Sequence, residues 1–300
     1  MMIRDWLLEA ESRLAARSDV ARTDVLELMS RALNTSRSGA LGRGDETLSG
    51  DLASRLEGWL ERRIAGEPVQ YITGRAAFRD LDLAVTPAVL IPRPETEGLV
   101  EAVLDVLRHA SGTWHVPRVL DLGTGSGAIA LAIAHEHPSA RVVATDASAA
   151  ALEVARRNAA TLGLESRVEF RAGDWFEAVG TDERFEVIVA NPPYIAEYES
   201  DELPEDVRDH EPATALYSGP TGLEALREIT EESPRHLVAG GLLALELAES
   251  RAREVEAWLE GAHDWSAVEL QDDLAGFPRV LLARRERGPA IAPAQWEEER

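Results

Sequence analysis

The sequence of 300 residues contains no cysteine, which excludes disulfide bonds and thiolate chemistry. It also contains no lysine, so that all 31 of its basic residues are arginine. No apolar run is long enough to span a bilayer, and residues 1–13 lack the apolar core of a signal peptide. We therefore expect a cytoplasmic protein that has no membrane partner.

Positive charge is scarce, because 31 basic residues face 54 acidic ones and the net charge is −23. Proteins that bind free nucleic acid need a cationic surface to displace counterions from the phosphates. The composition therefore argues against free nucleic acid as the main partner. We interpret the acidic, lysine-free composition as adaptation to a salt-rich or GC-rich host. No cluster of ligands predicts a metal site.

Residues 1–75 are predicted to form a helical bundle, because apolar residues recur at helical spacing and no strand pattern interrupts them. The last helix follows the possible caps Ser49 and Asp51 and ends near Gly66 and Pro68. Residues 37–50 are rich in glycine and serine and are predicted to form a loop. The apolar stripes by themselves indicate only the core of a bundle.

Residues 76–92 are predicted to join two domains. The pattern from Phe78 to Val85 indicates a short hairpin that turns near Asp80. Three prolines between Pro87 and Pro94 prevent a helix and stiffen the segment. It is either a linker or a rigid lid over a ligand, and a helix begins at Glu95 or Thr96.

Residues 93–284 alternate between strand and helix patterns, which indicates an α/β domain with a mostly parallel sheet. Residues 195–219 form a long connection that we expect to frame a substrate entrance, with its acidic residues at 197–206 in solvent. Residues 285–300 are expected to be a poorly ordered tail. The predicted strands are Val119–Leu122, Arg141–Asp146, Val168–Phe170, Phe185–Ala190, Leu242–Leu247, Ala267–Glu269 and Val280–Leu282.

A glycine-rich run lies where the first of these strands meets a helix, and it reads Gly123, Thr124, Gly125, Ser126 and Gly127. Glycine allows a ligand to approach the backbone there. Asp146 ends the next strand, at the spacing expected of an acid that binds a ribose. These residues predict an adenosine-containing cofactor but do not choose between NAD and S-adenosylmethionine.

Asp174 and Trp175 follow the third strand, where they would flank an adenine ring. Trp175 offers a flat apolar face to a base, although packing in the core explains it equally well. Asp174 can accept a hydrogen bond from the exocyclic amine of the base. The pair therefore favours an adenosyl ligand at this edge of the sheet.

The fourth strand ends at Asn191, Pro192, Pro193 and Tyr194, where the prolines force the chain out of the sheet. The side-chain oxygen of Asn191 and the carbonyl of Pro192 can accept both hydrogens of a planar nitrogen and direct its lone pair at an electrophile. Tyr194 can pack on the substrate plane. The motif contains no histidine or lysine for hydride chemistry, so it favours methyl transfer from S-adenosylmethionine.

Taken together, these motifs resemble those of class I S-adenosylmethionine-dependent methyltransferases, and more closely the release factor glutamine methyltransferases of the HemK/PrmC family. Residues 246–248 depart from the family pattern, since Ala248 stands where a glycine is usual. The further segments that carry the resemblance are Gly66–Pro68, Tyr71–Gly74, Thr86–Glu97, His210–Pro212 with Ala215–Leu216, and Asp273–Gly276.

This resemblance implies a Rossmann-like sheet of seven strands, preceded by a small helical domain that docks the substrate. It implies methylation of the side-chain nitrogen (N5) of the glutamine in the Gly-Gly-Gln motif of peptide chain release factors. It also implies that residues 123–127, Asp146, Asp174, Trp175 and Asn191 bind S-adenosylmethionine, and that residues 191–194 hold the glutamine.

Two alternatives stay open at this point. An N6-adenine or rRNA guanine methyltransferase would have a similar corner at Asn191–Tyr194. A NAD-binding Rossmann module would share the glycine-rich run and Asp146.

Overall fold

The computed structural model describes residues 1–286, so the predicted tail lies outside the described residues from 287 onward. Residues 285 and 286 are described, and Arg285 ends the last strand. Among the described residues, no helix combines the length and apolar character that crossing a membrane requires.

The N-terminal helices enclose an apolar core of their own, which is built on residues such as Trp6, Leu28 and Leu60. One prediction is wrong, because residues 37–50 include a short helix and are not simply a loop. The hydroxyl of Ser36 caps that helix by accepting a hydrogen bond from the Gly39 amide. The five helices are α1 (Ile3–Leu14), α2 (Ala21–Leu33), α3 (Arg37–Gly42), α4 (Gly50–Ile64) and α5 (Val69–Thr73).

An antiparallel hairpin follows, with strands β1 (Arg75–Phe78) and β2 (Leu81–Ala84). It begins three residues before the position predicted from the sequence, and it turns at residues 79 and 80. The side chain of Asn158 bonds both the amide and the carbonyl of Ala84. The hairpin is thereby fixed to the larger domain.

A seven-stranded sheet forms the centre of the larger domain, as predicted. Its order is β5-β4-β3-β6-β7-β9-β8, with β3 to β7 parallel and β9 antiparallel to both of its neighbours. The strands are β3 (Arg118–Leu122), β4 (Arg141–Asp146), β5 (Val168–Ala172), β6 (Phe185–Ala190), β7 (Leu237–Glu246), β8 (Trp265–Asp272) and β9 (Pro278–Arg285).

The start of β7 corrects another prediction. The strand was predicted to begin at Leu242, but it begins at Leu237 and includes Gly240 and Gly241. The pairing with β6 shifts register between Phe185 and Val187, so the strand accommodates the glycines as an irregularity.

Helices cover both faces of the sheet. Apolar residues of α6 and α7, with Ala159 of α8, pack into one core, and those of α11 and α12 pack into a second core on the opposite face. These helices are α6 (Thr96–His109), α7 (Ala128–Glu136), α8 (Ala149–Leu162), α11 (Glu224–His236) and α12 (Glu249–Gly261).

Residues 195–219 are more structured than the predicted long loop. They contain a 3₁₀ turn (Glu197–Glu202) and the short helices α9 (Glu205–His210) and α10 (Ala213–Leu216). Pro204 and Pro212 precede the two helices, where a missing amide hydrogen costs nothing. Glu199 caps the 3₁₀ turn and pairs with Arg251 at 2.7 Å, so it is not a solvated acid.

The strand order places a crevice beside β3, because the chain moves outward to β4 on one side and to β6 on the other. The carboxyl ends of parallel strands meet at one edge of a sheet, and ligands bind where the order reverses. The residues that follow β3, β4, β6 and β7 are therefore brought to the same edge.

Candidate functional site

A cavity of about 630 Å³ lies at that edge. It receives residues from the ends of four strands (β3 to β6) and is bounded on the other sides by the proline-rich segment and by α10. The lining residues include Ala88, Val89, Leu90, Gly123, Gly125, Asp146, Ser148, Asp174, Trp175, Asn191, Pro193, Pro212, Thr214, Ala215 and Tyr217.

The glycines of the 123–127 loop have different surroundings. All three have positive φ, at +71°, +56° and +84° for Gly123, Gly125 and Gly127. A Cβ on Gly125 would meet no atom within 4 Å, whereas a Cβ on Gly127 would lie 3.0 Å from Leu131. Gly125 therefore leaves room for a ligand, and Gly127 permits close packing of α7.

The side chains of Thr124 and Ser126 lie in the interior of the domain and do not line the cavity. The Thr124 hydroxyl donates to Asp121 at 2.6 Å, and the Ser126 carbonyl accepts from Asn158 at 2.9 Å. Burial raises the pKa of Asp121 to about 7, against the opposing hydrogen bond from Thr124. These groups fix the shape of the loop, so contact with a ligand falls to its backbone.

Asp146 connects the loop to the end of β4. Its Oδ2 accepts from the Gly125 amide and its Oδ1 from the Ser148 amide, each at 2.8 Å. Burial raises its pKa, and these two hydrogen bonds oppose the effect. Each carboxylate oxygen can accept a second hydrogen bond, so Asp146 can also bind ribose hydroxyls.

The sequence left open whether Trp175 packs in the core or faces a ligand, and the structure places it at both. Its ring packs against the apolar core and also lines the cavity, and its edge is 3.4 Å from the position of a Cβ on Gly123. Its φ of +37° is unusual for a bulky residue and turns the chain back toward the sheet. Asp174 lies exposed at the rim of the same cavity.

At the end of β6, Asn191 is held from the start of α6. Its Nδ2 donates to the Thr96 hydroxyl at 3.1 Å, which leaves its Oδ1 available to a ligand. Pro193 lines the cavity, while Pro192 is buried and Tyr194 packs against the apolar core. Burial raises the pKa of Tyr194 to about 12, so its phenol is neutral at physiological pH.

Two residues that the sequence did not nominate complete this corner. Thr96 and Glu246 are both buried, and Glu246 is the last residue of β7. Burial raises the pKa of Glu246 to about 7, and hydrogen bonds from the side chains of Thr96 and Asn191 oppose the shift. An acid at the end of an otherwise apolar strand is the signal that identifies it in the sequence.

Glu211 is a third residue that sequence reasoning left without a role. It is buried, accepts from the Ile91 amide at 3.2 Å and forms an ion pair with Arg93. These contacts, which we call the Glu211 clasp, connect the proline-rich segment to the end of α9. Because Ala88–Leu90 and Pro212 line the cavity on either side, the clasp determines the shape of its wall.

Ala248, the departure from the expected family pattern, causes no conflict in the backbone. Its φ and ψ of −70° and 145° are extended, and it precedes α12 as the N-cap. No residue at that position needs the freedom of glycine.

Two family models match the chain. Residues 5–74 match the PrmC N-terminal domain, and residues 101–206 match the methyltransferase small domain. The first covers the N-terminal helices, and the second covers the strands that carry the glycine loop, Asp146 and Asn191.

Curated relatives match over nearly the whole length. A release factor glutamine methyltransferase of Xylella fastidiosa is 45% identical over 270 residues, which is 90% of this chain and 95% of the relative. One from Moorella thermoacetica is 43% identical over 286 residues, which is 95% of this chain and 99% of the relative.

Among solved structures, the catalytic domain of hMettl16 superposes with a TM-score of 0.56 at 14% identity, covering 81% of this chain and 84% of that one. That likeness concerns the fold alone. The sequence identity to the curated relatives, over most of both chains, shows that this chain belongs to the release factor glutamine methyltransferase family.

Proposed function

We propose that this protein transfers a methyl group from S-adenosylmethionine to N5 of the glutamine in the Gly-Gly-Gln motif of peptide chain release factors. The observation that carries the proposal is the corner at the end of β6. There, Asn191 is anchored through its Nδ2 and presents its acceptor end beside a cavity that the glycine loop also lines.

The residues around the cavity suit the cofactor. Gly125 leaves open space, Asp146 has acceptor capacity for a ribose, and Trp175 presents an aromatic surface to an adenine. When bound, S-adenosylmethionine supplies an electron-poor methyl group. We assign cofactor binding to the backbone of residues 123–127 and to Asp146, Asp174, Trp175 and Asn191.

An amide nitrogen is a weak nucleophile, because its lone pair is delocalised into the carbonyl. The groups at the end of β6 can compensate for this weakness. Asn191 Oδ1 and the Pro192 carbonyl accept the two amide hydrogens, and these fixed dipoles meet the positive charge that grows on nitrogen. On taking up the methyl group, the substrate nitrogen would become acidic and would lose its proton to solvent, so the corner needs no strong base. Tyr194 stays neutral and packs behind the corner, so it is not a base.

A protein glutamine is favoured over a nucleobase by three observations. The curated relatives are named release factor glutamine methyltransferases, residues 5–74 match the N-terminal domain model, and the net charge of −23 opposes a nucleic acid substrate. We assign docking of the release factor to residues 1–75. Because release factors act on the ribosome, we place the protein in the cytoplasm.

One experiment tests the substrate. The protein is incubated with labelled S-adenosylmethionine and either a release factor or RNA, and peptide mass spectrometry then locates the label. We expect a mass gain of one methyl group on the Gly-Gly-Gln peptide and none on the RNA. An unmodified peptide would overturn the proposal, and protection by NADH in place of S-adenosylmethionine in a melting assay would favour a NAD-binding module.

A further inference from the structure

Glu246 lies beside the reacting corner, although the chemistry proposed above does not use it. The parallel pairing of β6 with β7 aligns Ala190 with Leu245, so Asn191 and Glu246 are the next residues along their strands. Glu246 is 1% exposed, and its Oε2 is buried with no hydrogen-bond partner among residues 1–286. A buried acid at this position needs a physical reason.

The reason lies in the shape of the Asn191 side chain. The oxygen and nitrogen ends of an amide are nearly equal in size, so packing does not decide which end faces the substrate. The difference matters for the reaction, because Oδ1 accepts a hydrogen from the substrate nitrogen and Nδ2 would repel it.

Thr96 by itself does not fix the orientation of Asn191. Its hydroxyl lies 3.1 Å from Asn191 Nδ2. A hydroxyl can either accept from an amide nitrogen or donate to an amide oxygen, so both orientations of Asn191 would satisfy it. The orientation of the Thr96 hydroxyl is fixed only if it also contacts a group that can accept hydrogen bonds but cannot donate them.

Glu246 is that group, since an ionised carboxylate can only accept hydrogen bonds. The strand pairing sets Glu246 beside Asn191, and the side chains of Thr96 and Asn191 both lie near enough to lower its pKa as hydrogen-bond donors. With the Thr96 hydrogen directed to Glu246, the hydroxyl oxygen accepts from Asn191 Nδ2, and Oδ1 faces the cavity.

The neighbouring charges are compatible with an ionised Glu246. Arg279 of β9 faces it and is held by Asp273 at 3.3 Å and by the Leu247 carbonyl at 3.1 Å. Glu95, next to Thr96, opposes ionisation through its own charge. Tyr194 faces the carboxyl from the end of β6.

We propose that Glu246 is a positioning residue, which acts on Asn191 both directly and through Thr96 to fix its amide with the oxygen toward the substrate nitrogen. This inference rests on the proposed function only in requiring that Asn191 accept a hydrogen from the methylated nitrogen. It holds for an amide or for a nucleobase amine.

The first test is Glu246→Gln, which keeps the size of the side chain but adds a donor. The new amide can donate to Thr96, and Thr96 then donates to Asn191 Oδ1, which turns Nδ2 toward the substrate. We expect kcat to fall about 10–100-fold. The cofactor dissociation constant should change by no more than a few-fold, since Asn191 is only one of several groups assigned to the cofactor.

The matched control is Glu186→Gln, a second glutamate of the sheet whose Oε2 accepts from the Arg118 amide at 2.7 Å. It lies on β6 near the end opposite the cavity, and its kcat should equal that of the wild type. Melting curves of both variants show whether they fold.

The decisive test adds Asn191→Asp, because a carboxylate is an acceptor at both ends and has no wrong orientation. In the double variant, the amide introduced at position 246 can donate to Thr96, and Thr96 can donate to the carboxylate introduced at position 191, whose second oxygen faces the substrate. Glu246→Gln should therefore reduce kcat in the wild-type background, and leave it equal or higher in the Asn191→Asp background. A purely structural role for Glu246 would reduce kcat in both backgrounds.

A readout without turnover is the NMR signal of the Asn191 side-chain NH₂ in the free protein. Its hydrogens should exchange slowly with solvent in the wild type and faster in Glu246→Gln and Thr96→Val. Wild-type exchange in folded Glu246→Gln, or an equal loss of kcat in both backgrounds, would overturn the inference. If the wild type methylates RNA and not the release factor, the proposed function fails, while the same variants still test the inference on the RNA substrate.

Discussion

The two halves of the cavity are built in different ways. On the cofactor side, the polar contacts of the glycine loop join residues no more than 32 positions apart, such as Thr124 with Asp121, Gly125 with Asp146, and Ser126 with Asn158. On the substrate side, Asn191 bonds Thr96, 95 positions away, and Glu211 pairs with Arg93, 118 positions away.

This difference separates two kinds of specificity. A short motif of glycines and acids, which adjacent strands bring together, is sufficient to shape a nucleotide-type site. The orientation of one amide in a substrate site depends on buried groups that distant segments supply. Substitutions on the cofactor side should therefore act on cofactor affinity or on stability, whereas those on the substrate side should change kcat or KM, whether or not they also change stability.

The largest effect is expected for Asn191→Ala on the substrate side. Loss of the acceptor should lower kcat by about 10²–10³-fold, because a preoriented dipole no longer meets the charge on nitrogen. The cofactor dissociation constant should rise by no more than a few-fold. Single-turnover kinetics and calorimetry separate the two quantities, and wild-type turnover would refute the role of Asn191.

Two glycines provide the sharpest test of the cofactor side. Gly125→Ala adds a methyl group to open space at a φ of +56°, and should weaken cofactor binding about 10–100-fold, which is about 1.4–2.8 kcal/mol, with a smaller loss of stability than at position 127. Gly127→Ala would press on Leu131 at a φ of +84°, and should lower the free energy of unfolding by about 2–3 kcal/mol. Calorimetry measures the cofactor affinity of the two variants, and urea unfolding measures their stability. A larger loss of affinity in Gly127→Ala together with a larger loss of stability in Gly125→Ala would contradict the assignment.

The Glu211 clasp should give an intermediate effect. Arg93→Ala removes the partner of a buried carboxyl whose pKa burial already raises, and should lower the free energy of unfolding by about 1–3 kcal/mol. We expect KM for the release factor to rise several-fold while kcat changes little, because the wall of the cavity moves and the corner does not. The matched control is Arg184→Ala, which removes a guanidinium that donates to the carbonyls of Thr181 and Glu183.

The smallest effect is a dependence on pH. Burial raises the pKa of Glu246 to about 7, so its ionised fraction grows from about one tenth at pH 6 to about nine tenths at pH 8. Because the ionised form fixes Asn191, kcat should rise several-fold across that range. The dependence of kcat on pH should be weaker in the double variant that combines Asn191→Asp with Glu246→Gln. The nearby charges of Arg279 and Glu95 are the same in both proteins, and an identical slope in both would remove Glu246 as its source.

Much of the fold could be predicted from local patterns. Residues 128–136 form the helix that was predicted to follow the glycine-rich run, because the apolar run follows a glycine that ends the preceding turn. The hairpin and the helix from residue 96 were placed within a few residues by their turns and prolines. The short helices α3, α9 and α10 were missed because they carry too few apolar residues to show a period.

The candidate site also has a part that the sequence predicted and a part that it did not. The sequence indicated Gly123, Gly125, Asp146, Trp175 and Asn191, all of which line one cavity in the structure. It did not indicate that Thr124 and Ser126 face the interior, or that Trp175 packs in the core and lines the cavity at once. Those orientations depend on contacts with α8 and with the residues around β5. Contacts between distant segments leave no pattern in the local sequence.

The amino-acid sequence by itself determined the alternation of strands and helices, the glycine turn and the break at Asn191–Pro193, because each follows from the backbone preferences of neighbouring residues. Only the tertiary structure decided that Thr96 and Glu246 meet at Asn191 and that Glu211 meets Arg93. The physical reason is that the direction of a buried hydrogen bond depends on the polarity of every group around it, and folding brings those groups from distant parts of the chain.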